Sequence, residues 1–304
     1  MSDYRQIDGM PVEEYNALKC VRNSRMKDFV RSPRHYQYFT HNQSKRTPAM
    51  RFGTMFHCFI FEPEIFNKTY VLVDEEQRPD KKHGMTAKMN EGWLESMQMK
   101  AEAAGGDVYT IDDLNKMEAM KASILENPIA ELMLNEEGKH EFTAIWNYMA
   151  EFIMPGRGKM TDIVEVKVRL DKLIERSRLE GRRIIVDLKT AEDGDPDIYD
   201  RKAWEMHYHR AGAIYSDAVG ADDFYLIVVE KAAPYVCCVY IMDESLIQKG
   251  RVDEQTGYVP ILNSIAKCRM QFGSEFNPES RPWPGYEWKA DADGDLRLKA
   301  PYYK

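Results

Sequence analysis

Two segments in the second half of the chain alternate between apolar and polar residues, a pattern typical of half-buried β-strands. The first segment, Ile163–Asp171, carries a charged residue at every odd position from 165 onward. The second, Arg183–Lys189, places Asp187 and Lys189 on the face opposite its apolar residues. If the two strands pair as a hairpin with matching apolar faces, Asp171, Asp187 and Lys189 share one polar face.

These three side chains would form a site that can hold a divalent metal ion beside a phosphate. Carboxylate oxygens suit a hard cation such as Mg²⁺, which keeps waters for nucleophilic use, and the ammonium remains free to act on the phosphate. An ion pair on the surface of a half-buried strand would give the same Asp-x-Lys triplet. The apolar run Ile184–Thr190, which ends in Asp-x-Lys-Thr, is a less common pattern and favours the catalytic interpretation.

The rest of the chain predicts helices and further strands around these two. Before Glu141 the pattern is mostly helical, with helices predicted at Val12–Val30, Ala49–Phe61, Thr86–Ala104, Ile111–Glu126 and Pro128–Asn135. After it, further strands are predicted at Phe142–Met149, Phe224–Glu230 and Tyr235–Met242, and helices at Ile198–Val219 and Glu244–Met270. We expect an α/β or α+β architecture with a mainly helical N-terminal part (1–140), a core (141–275) and an irregular tail (276–304), together forming one compact domain.

The charge distribution is uneven along the chain. A formal net charge of −8 does not by itself suggest a protein that binds nucleic acid. Between Lys19 and Arg51, however, nine basic residues stand against one acidic residue, Asp28, and aromatic residues are interleaved with them. Such a patch can follow a phosphate backbone and stack bases, although a solvated helical face would give the same pattern.

Several classes of protein are excluded by what the chain lacks. No apolar run approaches the roughly 20 residues that a membrane span needs, and the N-terminus has no apolar signal segment, so we expect a cytoplasmic protein without membrane contact. The five cysteines are scattered and form no Cys-x-x-Cys pair. This distribution argues against a disulfide framework, a structural zinc site and a four-cysteine iron–sulfur cluster.

His57 is a further candidate for the site. It lies at the flank of the apolar stripe in the predicted helix Ala49–Phe61 and next to Gly53 on the helical wheel. A glycine at that place allows a strand or a ligand to approach closely. A single histidine near a core is more often a structural residue, so the helix alone leaves both interpretations open.

Taken together, these residues resemble the RecB-type PD-(D/E)XK nucleases, and more closely the exonuclease VIII (RecE-type) branch found in phages and prophages. The matching stretches are Ser32–Tyr36, Thr47–Arg51, Gly53–His57 followed by Phe61–Pro63, Arg169–Asp171, Val186–Thr190, Tyr215–Asp217, Val229–Lys231 with Pro234-Tyr235, and Trp283–Tyr286. They follow the family's order over roughly residues 10 to 288. The resemblance implies a restriction-endonuclease-like core, in which helices flank a mixed central sheet.

The resemblance also implies roles for individual residues at the metal site. The implied ligands of Mg²⁺, for which Mn²⁺ is expected to substitute, are His57, Asp171, Asp187 and the backbone carbonyl of Leu188, with Glu141 in support through a water. Lys189 would orient or activate the attacking water and offset the charge that builds on the phosphate.

A second set of residues is expected to contact DNA. Its members are Arg31, Arg34, Arg51, Arg169, Thr190, His209, Arg210 and Tyr215. Tyr215 stands where the family's helix motif Gln-x-x-x-Tyr ends, but the Gln position is Ala211. His209 or Arg210 could substitute for the missing glutamine. This departure concerns the helix's part in recognising DNA ends and does not affect the metal site.

The resemblance implies 5′→3′ degradation of linear double-stranded DNA, which leaves a 3′ single strand for a recombination protein that anneals single strands. It also implies a ring-shaped homo-oligomer around the DNA. Two other functions stay open. One is a nuclease of the same superfamily that cuts single strands, flaps or internal sites in repair or defence. The other is a DNA-binding protein that keeps the fold without catalysis.

Overall fold

The computed structural model describes residues 5–42, 46–74, 76, 87–178 and 180–289. Within these residues, seven strands form a mixed sheet: β1 (Arg5–Ile7), β2 (Val21–Arg22), β5 (Lys139–Met154), β6 (Gly158–Ile174), β7 (Ile184–Ala191), β8 (Asp223–Glu230) and β9 (Cys237–Ile241). Their order is β1-β5-β6-β7-β8-β9, with β2 beside β6. The pairs β7–β8 and β2–β6 are parallel and the others antiparallel. A separate parallel pair consists of β3 (Val71–Val73) and β4 (Val108–Thr110).

Helices flank this sheet. They are α1 (Val12–Ala17), α2 (Asn23–Arg31), α3 (Pro33–His41), α4 (Pro48–Phe61), α5 (Pro63–Thr69), α6 (Ala87–Ala103), α7 (Ile111–Glu126), α8 (Pro128–Asn135), α9 (Pro196–Glu205), α10 (Tyr208–Val219), α11 (Glu244–Val252) and α12 (Tyr258–Phe272). A mixed central sheet flanked by helices confirms the predicted fold class. No helix in the described ranges is both long and apolar enough to cross a membrane.

Two apolar cores lie on opposite sides of the sheet, and β7 contributes to both. Its residues Ile184, Val186 and Leu188 are buried together with side chains of α4, α7 and α8. Ile185 and Ala191 point the other way, into the core that also contains side chains of α10 and α12. Because both faces of β7 are covered, any charged residue on this strand must find its partners inside the protein.

Four helices begin at the same local signal, a small polar residue followed by proline. Ser32, Thr47, Asn127 and Asp195 each accept a hydrogen bond from a backbone N–H of the first turn that follows. Proline at the first helical position has no N–H that would need a partner, and its φ angle already suits the helix. This signal explains why the predicted starts of α4 and α8 agree with the structure within one residue.

The predicted helix Val12–Val30 is wrong, because the structure divides it into α1, β2 and α2. The interruption pairs Val21 with Val166 and Arg22 with Lys167 in a parallel ladder. This short strand satisfies backbone groups along an edge of β6 that would otherwise be unpaired. The helical periodicity of the sequence carries no information about that distant edge.

Two other long helices were also predicted as continuous and are each broken once. The predicted helix Ile198–Val219 is broken at His207, whose φ of 58° lies in the left-handed region. The predicted helix Glu244–Met270 stops at Asp253, whose carboxylate accepts hydrogen bonds from the backbone N–H groups of Gln255 and Thr256. Both breaks are local turns, and at the second the Asp253 carboxylate competes with the helix by binding nearby backbone N–H groups. The apolar periodicity continues on both sides of each turn, so that pattern alone does not reveal the breaks.

Other bounds also differ from the predictions. β5 and β6 extend beyond the predicted Phe142–Met149 and Ile163–Asp171 and are joined by a tight turn after Met154, in which Gly156 and Gly158 have positive φ angles. Besides β2, the strands and α-helices that were not predicted are β1, α3, α5, β3 and β4. Thr86, Lys45 and the last part of the tail, residues 290–304, lie outside the described residues.

Trp283 anchors the C-terminal segment to the N-terminal helices. It is fully buried, and its ring stacks on Tyr36 of α3 with centroids 5.9 Å apart. Its indole N–H donates to the Gly273 carbonyl at 3.0 Å, and its own carbonyl accepts from Arg34 Nε at 2.9 Å. The segment after α12 therefore completes the core that holds α2 and α3 in place.

We predict that Trp283→Ala lowers the free energy of unfolding by about 3–5 kcal/mol, because it removes a fully buried ring and leaves a cavity. Denaturant unfolding followed by circular dichroism measures the change. Trp93→Ala, on the half-buried face of α6, is the matched control and should cost clearly less. Equal losses in the two variants would contradict the packing described for the tail.

Candidate active site

The site forms where β6 and β7 stop pairing. The last antiparallel pair is Lys172 with Val186, and the next two residues of that register, Asp171 and Asp187, face each other beyond it. Leu188 N–H donates to Asp171 Oδ2 at 2.8 Å rather than to a backbone carbonyl of β6. A carboxylate thus takes the place of a backbone acceptor at the point where the two strands separate.

The predicted reason for this convergence is wrong, although the two aspartates do meet. Val164, Val166, Val168 and Leu170 lie in the core on one side of the sheet, whereas the apolar residues of β7 expected to share their face lie in the other core. The inward positions of β6 change from even to odd after Leu170, since Leu173 belongs to the same core as Leu170. The alternating segment Ile163–Asp171 ends where β6 changes sides. Its alternation therefore could not predict that change.

Glu141 lies opposite Asp171 at this change of side. Its φ of 49° is in the left-handed region, and the ladder between β5 and β6 is regular on both sides of it but not at it. Its carboxylate forms an ion pair with Arg169, whose guanidinium also donates to the Met10 carbonyl at 2.7 Å. A non-glycine residue in this conformation costs about 1–3 kcal/mol, and such strain is concentrated at functional sites.

His57 reaches Asp171 from α4. Its Nδ1 lies 3.4 Å from Asp171 Oδ2, and its side chain is 22% exposed. α4 packs closely against β7, because a Cβ added to Gly53 would lie 3.7 Å from Thr190 Oγ1. The helix that was singled out for its glycine thus places its histidine at the separation of β6 and β7.

Lys189 completes the group. Its ammonium forms an ion pair with Asp187 on the same strand and lies 3.4 Å from the Leu188 carbonyl oxygen. The side chains of Asp187 and Lys189 are 9% and 28% exposed. The Leu188 carbonyl, which was expected to be a metal ligand, therefore faces the same space as the two charged side chains.

The two carboxylates titrate differently. Burial acts to raise the pKa of Asp171, but the charges of His57 and Lys189 and the hydrogen bond from Leu188 N–H outweigh it and lower this pKa to about 2. Burial also raises the pKa of Asp187, and the neighbouring Asp171 carboxylate adds to this against the opposing effect of Lys189. Asp171 is therefore the more firmly ionised of the two.

The two basic groups respond to the same carboxylates. Burial acts to lower the pKa of Lys189, but Asp187 and Asp171 raise it overall. Burial likewise opposes the charged form of His57, and the Asp171 carboxylate raises the His57 pKa above its ordinary value. Lys189 is therefore a permanent cation at neutral pH, held against two buried carboxylates.

The described parts of the chain contain no group of three His, Cys, Asp or Glu side chains arranged to hold a metal ion as they stand. In this arrangement Lys189 forms an ion pair with Asp187, and His57 faces Asp171. The donor set nevertheless fits a hard divalent cation, because it offers two carboxylates, an imidazole nitrogen and a backbone carbonyl. Asp171 and Asp187 also repel each other, so a metal ion bound in addition to Lys189 would stabilise their two negative charges.

A cleft of about 160 Å³ opens beside Asp187 and Lys189. Its lining includes residues that the sequence did not single out for the site: Asn23, Ser24, Met206, Tyr208, Phe224, Leu226 and Met242. Lys27, which belongs to the predicted basic segment, lines it as well. The break before α2 brings Asn23 and Ser24 here, and no sequence signal indicated that break.

The cleft also includes two positions of the helix motif and Arg210, the residue before it. Tyr215 and Ala211 line it, and burial raises the pKa of Tyr215 to about 12, with Asp187 adding to this effect. Arg210 lines it with a side chain that is nearly fully buried and donates to Asn23 Oδ1 and to the Thr256 carbonyl. His209 is buried too, and its ring stacks on Trp204. The side chains of His209 and Arg210 thus already have partners within the protein.

The other residues expected to contact DNA lie on the surface or in ion pairs. Arg31 and Arg34 are exposed on α2 and α3, where they contact Tyr286 and the Trp283 carbonyl. Arg51 binds the Asp107 carboxylate through two hydrogen bonds, of 2.7 and 2.9 Å. Their part in DNA binding stays a prediction, because the structure shows only their internal contacts.

Comparison with solved structures gives weak similarities. A protein from Eubacterium rectale described as a "putative exonuclease" is 16% identical over 79% of this chain and 80% of its own, with a TM-score of 0.46. A protein named SSO0001 is 14% identical over 76% of this chain and 84% of its own, with a TM-score of 0.25. Similarities at this level carry no argument about function. None of the curated proteins compared with this chain matches it.

The family comparison is decisive for the fold. Residues 23–268 match the model of a family described as a PDDEXK-like domain of unknown function (DUF3799). The match covers most of the chain and includes the whole cluster from His57 to Lys189. It confirms the superfamily that the sequence resembles, whereas the exonuclease VIII branch stays a prediction. The chain therefore belongs to the DUF3799 family of PDDEXK-like domains.

Proposed function

We propose that this protein is a nuclease that hydrolyses phosphodiester bonds of DNA with the help of a divalent metal ion. The observation on which the proposal rests is the convergence of His57, Asp171, Asp187 and Lys189 where β6 and β7 separate. Membership of a PDDEXK-like family supports it, because this cluster contains the acidic and lysine residues after which the superfamily is named.

The metal ion, Mg²⁺ with Mn²⁺ as a substitute, would be held by Asp171, Asp187, His57 and the Leu188 carbonyl. When bound, it supplies Lewis-acid stabilisation of the phosphate and of the leaving oxygen. Asp171 is suited to be the anchoring ligand, because its low pKa keeps it ionised. Glu141 is held away by its ion pair with Arg169, so its support would act through a water.

Lys189 contributes a positive charge next to the reacting phosphate. The two carboxylates raise its pKa, so it carries its proton at neutral pH and acts through its charge and its hydrogen bonds. Its ammonium can turn from Asp187 and the Leu188 carbonyl toward the attacking water or a phosphate oxygen. A fixed cation there stabilises the negative charge that grows on the phosphate during attack.

Linear double-stranded DNA is the proposed substrate, with degradation from the 5′ end. The resulting 3′ single strand would pass to a single-strand annealing recombination protein, and a ring-shaped homo-oligomer would enclose the DNA. These finer properties rest on the resemblance to the exonuclease VIII branch. The exposed Arg31 and Arg34, together with Lys27 at the cleft, offer cations that can follow a DNA backbone toward the site.

We predict that saturating MgCl2 raises the melting temperature by about 4 °C, because a ligand that binds only the folded state at 100 times its Kd adds about 2.7 kcal/mol. Asp187→Asn removes one proposed ligand and should abolish the rise. Glu151→Gln, an exposed carboxylate on the distal part of β5, is the control and should keep it. Differential scanning calorimetry with and without EDTA measures the shifts. A rise of the same size in all three proteins would contradict the assignment.

We predict that Lys189→Ala and Asp187→Ala each reduce digestion of linear duplex DNA by at least about 100-fold while the fold persists, because each removes stabilisation of the reacting phosphate. A time course on end-labelled duplex with Mg²⁺ measures activity and polarity together, and circular dichroism checks the fold. Unchanged activity in both variants would refute the proposal. Covalently closed circular DNA separates the alternatives, since only an endonuclease opens it, and a wild type that cuts neither substrate would indicate a binding protein.

A further inference from the structure

A second cavity, of about 390 Å³, adjoins the cleft of the candidate active site. The two share Tyr208, Leu226 and Met242 in their linings, so they lie side by side. Lys189 lies at the junction, because its ammonium is 5.9 Å from the centroid of the Tyr208 ring. A DNA strand whose phosphate lies at Lys189 would therefore have a neighbouring nucleotide at the mouth of this cavity.

Five of the 13 residues that line the cavity carry aromatic rings, and contacts within the protein hold these rings in place. Tyr199 is buried and stacks on Tyr240, with centroids 5.3 Å apart and ring planes 20° apart. The Tyr240 hydroxyl donates to the Gly194 carbonyl at 2.7 Å. The ring centroids of Tyr208 and Tyr199 are 6.4 Å apart. These contacts fix three aromatic rings around one space before any ligand enters, which lowers the entropy cost of binding there.

Trp204 forms an exposed aromatic surface at the rim. The residue is 43% exposed, yet its ring is fixed by His209, which stacks on it with centroids 4.2 Å apart and planes 13° apart. Burial lowers the pKa of His209 to about 4, so at neutral pH the imidazole is uncharged and serves as a flat support. An ordered, exposed indole offers a large stacking surface at little cost in conformational freedom.

The charges at the mouth favour a base inside and a phosphate outside. Lys249 lies 5.8 Å from the Trp204 ring and has no ion pair within the described part of the chain. Asp200 and Asp243 also line the cavity, and carboxylate oxygens can accept hydrogen bonds from the amino groups of a base. One oxygen of Asp243, Oδ1, already accepts hydrogen bonds from Ser245 Oγ and Leu246 N–H, which leaves its Oδ2 for such a contact. Lys249 can then meet the backbone phosphate of the same nucleotide.

We propose that this cavity holds an unstacked base of the DNA strand whose phosphate lies at Lys189, with Trp204 as the stacking surface at its rim. The site would separate the terminal nucleotide from its neighbours and set the position of the strand for each cut. This inference rests on the proposed nuclease function, but it concerns binding and can be tested without hydrolysis.

The test measures binding of a fluorescently labelled single-stranded dA12 by anisotropy in EDTA, where no cleavage occurs. Trp204→Ala should weaken binding by about 5- to 150-fold, the effect of losing one stacked base. The same exchange at another tryptophan, Trp93→Ala on α6, should bind as the wild type does. Wild-type affinity in Trp204→Ala, or an equal loss in both variants, would overturn the proposal.

A scan with single abasic nucleotides shows whether the base itself is the ligand. In the wild type, removing the base at one position of the dodecamer should weaken binding clearly. In Trp204→Ala, removing the base at that same position should weaken binding no further. The proposal would be overturned if, at every position, the fold-loss in affinity from removing the base multiplied with the fold-loss from Trp204→Ala. The ring and the base would then contribute to binding independently. Digestion of duplex with Mg²⁺ is measured separately, so loss of the nuclease function and loss of the base site give different results.

Discussion

The separation of β6 and β7 after the pair Lys172–Val186 is the feature on which the site depends. Continued pairing would bury backbone groups between the strands and leave no space for a metal ion or a phosphate. Instead, the Asp171 carboxylate accepts a hydrogen bond from Leu188 N–H. β2 pairs with another part of β6, and α4 brings His57 to the gap between β6 and β7. The same side chain that stabilises the separation is thus a proposed metal ligand.

The charges gathered there explain why the site is both stable and reactive. Two nearly buried carboxylates are costly to bury alone, and Lys189 and His57 compensate them in the structure described. A bound divalent cation would take over part of that role and release Lys189 toward the phosphate. The aromatic cavity beside Tyr208 would then hold the strand while this exchange occurs.

Local signals in the sequence predicted helix starts and the active-site cluster, although the local turns at His207 and Asp253 were missed. Small polar residues before proline gave the starts of α4 and α8, and the Asp-x-Lys triplet with Gly53 and His57 gave the cluster. The prediction that β6 and β7 share matching apolar faces was wrong because β6 changes sides opposite Glu141. The break at Val21 was missed because it depends on pairing with the edge of β6, which is distant in sequence. Asn23 and Trp204 were not predicted, because the place of Asn23 follows from the break at Val21 and that of Trp204 from the break at His207.

Anomalous diffraction from crystals soaked in MnCl2 would show whether Asp171, Asp187 and His57 hold a divalent metal ion, because it locates the ion without relying on activity. We expect one strong peak bonded to carboxylate oxygens of Asp171 and Asp187 and to a ring nitrogen of His57, with the Lys189 ammonium no longer bound to Asp187. A map with no peak between the two aspartates, and with the Lys189–Asp187 ion pair intact, would contradict it.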